Sequence, residues 1–170
     1  ITAFKERNKI EFISKTASPI IIMHMQKKPI NMQINPKYDF APIDIYKFFS
    51  KKIIDLIEVG VKKSNIVIDP GIGFGKTLSD NVNILKYLPL FHGLGVPILI
   101  GVSRKSLIAE LTIHDYKLRG KNKKKIIPSK RLSGSLAFAI HANMCGVQIL
   151  RTHDVFETNQ ALICQKSLYL

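Results

Sequence analysis

The sequence is poor in cysteine and has no long apolar run. The only cysteines among its 170 residues, Cys145 and Cys164, lie too far apart for the close pairs of a zinc site or a disulfide scaffold. We expect both thiols to be reduced. The longest apolar runs, such as residues 19–23 and 96–102, fall far short of the roughly 18 residues that span a bilayer. Residues 1–18 mix charges and have no signal-peptide pattern, so we expect a cytoplasmic protein with no membrane partner.

Acidic residues are also few. The chain has 12 Asp and Glu against 26 Lys and Arg, which gives a formal net charge of +14. Eight of the basic residues fall within residues 117–131, which contain no acid, and without them the excess is +6. Such a block is either a nucleic-acid contact or a solvated loop. No aromatic residue interleaves with it as a stacking platform, so we favour a loop and expect no nucleic acid partner.

The pattern of apolar residues predicts one α/β domain. Apolar residues make up 46% of the chain, enough to form a core. Short runs rich in Ile and Val alternate with helical patterns, as in a parallel sheet with crossover helices. The predicted strands are residues 19–25, 65–68, 97–102 and 147–150. The predicted helices are residues 44–59, 79–88 with Ser79 as N-cap, 103–111, 132–144, and a last helix that Asp154 and Glu157 begin as a capping box.

Ligands of parallel α/β folds bind beyond the carboxyl ends of the strands, so we examined the segments after each run. The glycine-rich segment 69–76 is not a P-loop, because Pro70 occupies the position of the first glycine. It is not a dinucleotide-binding turn either, because Lys76 replaces the third glycine. What remains is a carboxylate, Asp69, before a turn whose backbone approaches a flat ligand closely. By residue type alone, Asp69 is equally typical of a turn before proline.

Cationic and hydroxyl side chains gather after the last two predicted strands. If these strands are the seventh and eighth of a (β/α)8 barrel, their loops form a phosphate site, and guanidinium, imidazole and helix N–H groups there would suit a diphosphate. The side chains concerned are Ser103, Arg104, Lys105, Ser106, Arg151 and His153. Taken singly, these side chains also have interpretations without a ligand. Arg104 would pair with a surface acid, Lys105 would be exposed to solvent, and His153 would support the cap formed by Asp154.

Five segments follow one another along the chain: MHMQ, DPGIGFGK, GVSRKS, RLSGSLA and RTHDVFET. In this order and spacing they resemble the dihydropteroate synthase family. The resemblance covers the chain from about residue 19 to the last helix. It implies a transferase of folate biosynthesis in which 4-aminobenzoate attacks the methylene of 6-hydroxymethyl-7,8-dihydropterin diphosphate. Diphosphate leaves and 7,8-dihydropteroate forms, and sulfonamides are the expected inhibitors.

The resemblance also implies roles for individual residues. Asp69 would accept the pterin donors, and Arg151 and His153 would bind the diphosphate. Phe74 and Ser106 would receive the ring and carboxylate of 4-aminobenzoate. The implied pterin contacts are Asp69, Lys105, Arg151, Met23, Gly73 and Gly101. The implied catalytic residues are Lys105, Arg151 and His153.

The sequence departs from the family in two respects. A (β/α)8 barrel takes about 250 residues, and this chain offers four strands, which by motif are the fifth to eighth. Residues 1–170 thus form a single incomplete pterin-binding domain. The resemblance implies a Mg²⁺ cofactor whose asparagine ligand lies in the missing N-terminal half, so no metal ligand is expected here. The complete protein is expected to be a homodimer. The second departure is a basic inserted loop at residues 114–130.

Two other interpretations stay open at this point. Four βα units also suit a flavodoxin-like domain that binds a nucleotide or phosphate. The basic block would alternatively make the chain a nucleic-acid-binding module. The specificity of the DPGIGFGK and SRKS segments favours the synthase, with activity only in a chain that contains the other half.

Overall fold

The computed structural model describes residues 18–122 and 125–169, which alternate between strands and helices. The strands are β1 (Ile20–Met23), β2 (Ile66–Asp69), β3 (Leu99–Ile100) and β4 (Ile149–Leu150). The helices are α1 (Ala41–Glu58), α2 (Leu78–Lys86), α3 (Ser106–Leu118), α4 (Leu132–Met144) and α5 (Val155–Ser167). Short 3-10 turns lie at Lys63–Asn65, Leu88–Leu94 and Pro128–Lys130. The predicted α/β fold is confirmed.

The strands are parallel and follow chain order across the sheet. β1 pairs with β2, with Met23 opposite Asp69, and β3 pairs with β4. A parallel bridge between Ile68 and Ile98 joins the two pairs. The order is therefore β1-β2-β3-β4. A flavodoxin-like sheet instead has the order 2-1-3-4-5, so that alternative is wrong.

The core lies between one face of the sheet and the helices. Ile22, Ile68 and Ile100 are fully buried there, as are Phe49 and Leu56 of α1. The apolar stripe of α1 thus packs as its helical spacing predicts. The helix begins three residues earlier than expected, with Pro42 in its first turn, where a missing backbone N–H costs nothing.

The other face of the sheet is less covered. Side chains alternate between the two faces of a strand, and Ile21, between two core residues, is 52% exposed. Its register partner Val67 is only partly buried. Parallel sheets are usually covered on both faces, so this face lacks a covering layer among the described residues.

Two further predictions about the helix ends are wrong. The N-cap of α2 is Thr77 rather than Ser79, and Thr77 forms a reciprocal capping box with Asp80. The insertion does not begin as a loop at His114, because α3 continues through Leu118. An ion pair of 2.9 Å between Asp115 and Arg119 spans this last turn. No helix in the described part of the chain is long and apolar enough to cross a membrane.

Candidate functional site

The ends of β2, β3 and β4 meet at one edge of the sheet. A cavity of about 310 Å³ opens there. Its lining residues are Phe74, Gly101, Ser103, Lys105, Arg151, Thr152 and His153. The structure thus brings together three segments that are more than 20 residues apart in sequence, because the carboxyl ends of parallel strands share an edge.

Asp69 lies at the end of β2 and is only 3% exposed. One carboxylate oxygen accepts a hydrogen bond of 2.8 Å from the Gly71 N–H, and the other lies 3.6 Å from Arg151. Burial raises the pKa of Asp69, and the Gly71 hydrogen bond and the charges of Arg151, Lys105 and Lys76 oppose that shift. Asp69 therefore stabilises the turn through the Gly71 N–H, and three cations also favour the ionised form of its carboxylate.

Lys105 extends over the glycine turn. Its ammonium lies 4.1 Å from the centre of the Phe74 ring, a cation–π contact. A Cβ atom on Gly73 would lie 3.4 Å from the Lys105 side chain, so a small residue there leaves room for the lysine. Burial lowers the pKa of Lys105, and the charge of Arg151 lowers it further. Lys105 is therefore not the exposed lysine of the interpretation without a ligand.

Arg151 follows β4 and packs over Gly101, where a Cβ atom would lie 2.9 Å from its guanidinium. Its side chain is 57% exposed, which leaves donors free for a ligand. Hydrogen bonds to Ser103 fix the ring and the backbone of His153. Its Nδ1 lies 2.9 Å from the hydroxyl of Ser103, which also accepts a 3.2 Å hydrogen bond from the His153 backbone N–H.

The turn between β3 and α3 is held by three side chains. Arg104 has a φ of 57°, which non-glycine residues rarely adopt. Two nitrogen atoms of its guanidinium, Nε and Nη2, pair with the two carboxylate oxygens of Asp154. Its N–H donates to Ser135, 2.9 Å away, and Arg131 donates to its carbonyl at 2.8 Å. Arg104 therefore forms an ion pair with an acid, as its interpretation without a ligand predicts. The capping box predicted at Asp154 is wrong, because Arg104 engages that carboxylate and it makes no cap hydrogen bond.

Two buried side chains beside this site were not assigned from sequence. Lys76 is 4% exposed, and its ammonium lies 3.1 Å from Nδ1 of His24, which follows β1. The sequence signal for Lys76 is its place at the end of a glycine turn directly after a strand. Ser103 belongs to the predicted phosphate loops, but the sequence does not predict its hydrogen bonds to His153.

Four of the predicted site residues do not line the cavity: Asp69, Met23, Gly73 and Ser106. Asp69 lies behind the lining and reaches it through Arg151, 3.6 Å away. Met23 is buried beside Asp69 in the sheet register, and Gly73 lies under Lys105. Ser106 is exposed as the first residue of α3, where helix N–H groups are free.

A larger cleft of about 690 Å³ lies between segment 26–39 and the beginnings of α1 and α2. Its carboxylates Asp44 and Asp80 already accept backbone N–H groups, those of Asp39 and Thr77 at 2.9 Å. These acids cap helices, so we place the site in the smaller cavity, where the charges face a shared space.

The residues present do not fit a magnesium site. No group of three or more His, Cys, Asp or Glu side chains in the described ranges is arranged to hold a metal. Asp69, the buried carboxylate at the end of β2, has cations around it and lies 3.6 Å from Arg151.

The strand ends of this parallel sheet present a buried carboxylate and several cations at one edge. The sequence comparison identifies the family that has this arrangement. Residues 1–153 match the pterin binding enzyme family. The chain belongs to this family.

Its individual relatives are dihydropteroate synthases. The Escherichia coli (strain K12) protein is 40% identical over 162 residues, which cover 95% of this chain and 53% of the relative. The structure of the Yersinia pestis enzyme in a sulfonamide drug complex superposes with a TM-score of 0.86 at 37% identity, covering 99% of this chain and 57% of that one. The Xanthomonas albilineans enzyme with 4-aminobenzoic acid gives 0.83 at 31% identity, with 99% and 56% coverage. The chain thus spans about half the length of these relatives.

Proposed function

We propose that the chain is the carboxyl-terminal half of a dihydropteroate synthase and carries most of its pterin and diphosphate contacts. Its four strands would be the fifth to eighth of a (β/α)8 barrel. The sheet order β1-β2-β3-β4 supports this assignment, because barrel strands follow chain order. The match to about half of each relative supports it as well.

The observation that carries the proposal is the placement of Asp69. A pterin presents adjacent ring N–H and amino donors, and an ionised carboxylate accepts both. Asp69 is buried at a strand end, and Gly71 occupies one of its oxygens while Arg151 lies near the other. The cations around Asp69 favour the ionised form that pterin binding requires.

Arg151 and His153 lie side by side at the cavity and would hold the diphosphate. Arg151 offers a planar fork of donors, which matches phosphate oxygens, and His153 is fixed by Ser103. Lys105 lines the cavity and its charge interacts with that of Asp69, and from there it would donate to the pterin ring. Gly101 and Met23 would complete the pterin pocket, since both lie at strand ends next to Arg151 and Asp69.

The second substrate, 4-aminobenzoate, would lie against Phe74 and direct its carboxylate to the N-terminus of α3 at Ser106. Free helix N–H groups there attract an anion. Sulfonamides would compete for the same place, consistent with the sulfonamide complex of the Yersinia pestis relative.

The reaction needs positioning and charge stabilisation more than acid–base catalysis. The aminobenzoate nitrogen forms a bond to the pterin methylene as the bond from the methylene to diphosphate breaks, and the amine loses its proton to solvent. Negative charge accumulates on the leaving diphosphate, where Arg151 and His153 stabilise it. The homodimer, the magnesium ion and the cytoplasmic location stay predictions of the resemblance.

A fusion protein tests the proposed function. The first part of the Escherichia coli synthase, up to the region matched here, is joined to this chain, and dihydropteroate formation is measured from the two substrates. We expect turnover in the fusion and none, or far less, in the 170-residue chain alone. A folded fusion that binds neither substrate would contradict the proposal.

Asp69→Asn tests the central contact. The amide replaces a charged acceptor pair with one donor and one acceptor, so we expect pterin affinity to fall by about 10- to 100-fold in calorimetry. The matched control is Asp55→Asn, an exposed change on α1 that leaves affinity unchanged. Near-wild-type affinity of Asp69→Asn would remove Asp69 from the pterin site.

A further inference from the structure

Lys76 is a buried cation whose hydrogen-bonding partners are all neutral. Its ammonium lies 3.0 Å from the Phe74 carbonyl, 3.1 Å from Nδ1 of His24 and 3.4 Å from the His24 carbonyl. A buried ammonium without a carboxylate in contact is costly to maintain. Among the described residues no carboxylate forms an ion pair with it. Packing alone would be served better by an apolar side chain.

The three contacts of Lys76 join two segments. Phe74 belongs to the turn after β2, and His24 directly follows β1. The same two segments meet at Gly71, where a Cβ atom would lie 2.0 Å from the His24 carbonyl. The turn therefore depends on β1 for its position, and Lys76 is the side chain that bonds to both.

We propose that Lys76 is the positioning residue of this site: its buried ammonium group ties the glycine turn to the end of β1 and so holds Asp69 and Phe74 in place for the two substrates. This inference rests on the proposed function, because it assigns those two residues to the pterin and to 4-aminobenzoate. Lys76 itself does not line the cavity and acts through its neighbours.

The charge of Lys76 also acts on Asp69. Arg151, Lys105 and Lys76 each hold down the pKa of that carboxyl against the effect of burial. Arg151 is more than half exposed, so solvent screens its contribution, whereas the Lys76 charge is buried. Loss of this charge should therefore raise the pH at which Asp69 takes up a proton.

The pH window follows from the groups around Lys76. Burial lowers its pKa to about 7, with the charges of Asp69 and Asp80 opposing that shift and Lys105 adding to it. Burial and the charge of Lys76 lower the pKa of the facing His24 to about 3. His24 is thus neutral at pH 5 to 6, where Lys76 is protonated, and Lys76 loses its proton around pH 7.

The test uses the fusion of this chain with the first part of the Escherichia coli synthase. The variants are Lys76→Met, which keeps length but removes charge, and Lys76→Arg, which keeps the charge. The control is Lys62→Met, an exposed change before the turn at Lys63–Asn65. The carboxyl of Asp69 is titrated by carbon NMR, and binding of 6-hydroxymethylpterin is measured by calorimetry from pH 4 to 8. Circular dichroism at each pH shows that the variants are folded.

We expect Lys76→Met to raise the titration midpoint of Asp69 by about half a unit to one unit, and Lys76→Arg and Lys62→Met to leave it near wild type. The acid limb of pterin binding should move upward by the same amount, which weakens binding there by about three- to tenfold. A merely structural lysine would weaken binding equally at all pH values.

The outcomes separate the two proposals. An Asp69 midpoint unchanged in folded Lys76→Met overturns the role of Lys76, whatever the ligand. A fusion without the Lys76 change that shows the expected Asp69 titration and binds no pterin overturns the proposed function, and it leaves the coupling of Lys76 to Asp69 established. If Lys76→Met does not fold at all, Lys76→Arg decides, because an upward shift of Asp69 in that variant contradicts the charge argument.

Discussion

Single residues at the strand ends set how closely two segments approach. Gly71 has a φ of 72°, and a Cβ atom there would lie 2.0 Å from the His24 carbonyl, so a side chain would have to push the two backbones apart. Such overlap involves main-chain atoms and is not relieved by a change of rotamer. The close approach of the turn to β1 is thus specified by one glycine.

Gly71→Ala is expected to reduce the free energy of unfolding by at least about 3 kcal/mol, combining the backbone strain with the overlap. Gly120→Ala is the matched control, because Gly120 has a similar φ of 69° and no atom within 4 Å of its added Cβ. It should cost only about 1 kcal/mol. Urea denaturation of both variants measures the difference, and equal costs would show that the contact with His24 is unimportant.

His24 makes the fold sensitive to acid. Burial, followed by the charge of Lys76, lowers its pKa from 6.5 to about 3. Between these values the unfolded chain binds a proton that the folded chain refuses, so stability is lost as pH falls from 6.5 to 3. The full loss from this group is about 3 to 5 kcal/mol.

His24→Asn should flatten that pH dependence, because asparagine keeps a neutral acceptor for Lys76 and does not titrate. His114→Asn, an exposed change on α3, should keep the wild-type slope. Unfolding curves between pH 4 and 7 provide the measurement. A slope in His24→Asn as steep as in the wild type would mean that another group causes the acid sensitivity.

Asp69 and Lys76 show which features of single residues can be predicted from the sequence and which cannot. The position of Asp69 after a strand makes it only a candidate, equally typical of a turn, and the resemblance to the synthase family is what predicts its role as a pterin acceptor. The burial of Lys76 depends on His24, 52 residues away, and no local pattern predicts that contact. A long-range contact of this kind is decided by packing, not by spacing.

At the scale of elements, the start of α2 offers two hydroxyl residues as caps, Thr77 and Ser79. Thr77 accepts the Asp80 N–H at 3.1 Å, and Asp80 accepts the Thr77 N–H at 2.9 Å. Both residues suit an N-cap by type, but Ser79 is already the second residue inside the helix. The helix begins after Thr77 and not after Ser79 because the capping box of Thr77 and Asp80 satisfies two free backbone N–H groups at once.

Thr77→Ala should therefore destabilise the protein by about 1 kcal/mol, within the range measured for N-cap residues. Ser79→Ala should change stability by less than about 0.5 kcal/mol or raise it slightly, since alanine favours a helix interior. Thermal and urea unfolding of the two single variants decide between the caps. A larger loss in Ser79→Ala would restore the boundary predicted from sequence.

The other differences between prediction and structure also come from tertiary contacts. Asp154 was predicted as part of a cap for α5, but Arg104 reaches it from the turn after β3. The insertion was predicted as a loop from His114, but α3 continues because its first residues are anchored in the core through Leu107 and Ile108. The periodicity of apolar residues predicts that each strand and α-helix exists and which type it is. It does not predict where an element ends, because contacts with residues distant in sequence decide that.

At the scale of the whole molecule, the sheet has one packed face and one open face. Ile22 is fully buried against the helices, and Ile21, its neighbour on β1, is half exposed. In a closed barrel the second face is the interior, which is filled by layers of side chains. The open face is thus the part of the fold that a missing half would cover, and this could be inferred from strand count and motif order together.

Ile21→Glu tests that inference by comparing two forms of the protein. In the 170-residue chain alone the change should alter the free energy of unfolding by less than about 0.5 kcal/mol, because Ile21 is already exposed to water. In the fusion with the first part of the Escherichia coli synthase, the same carboxylate would be buried without a partner. Turnover and thermal stability of the fusion should therefore fall steeply.

Ile22→Ala is the reference variant, because that side chain is fully buried in the core of the chain itself. It should cost about 2 to 5 kcal/mol in the isolated chain, and it should destabilise the fusion as well. The contrast between neighbouring residues separates closure of the barrel from damage to the half present here. If Ile21→Glu unfolds the isolated chain, or leaves the fusion fully active and stable, the open face is not a barrel interior.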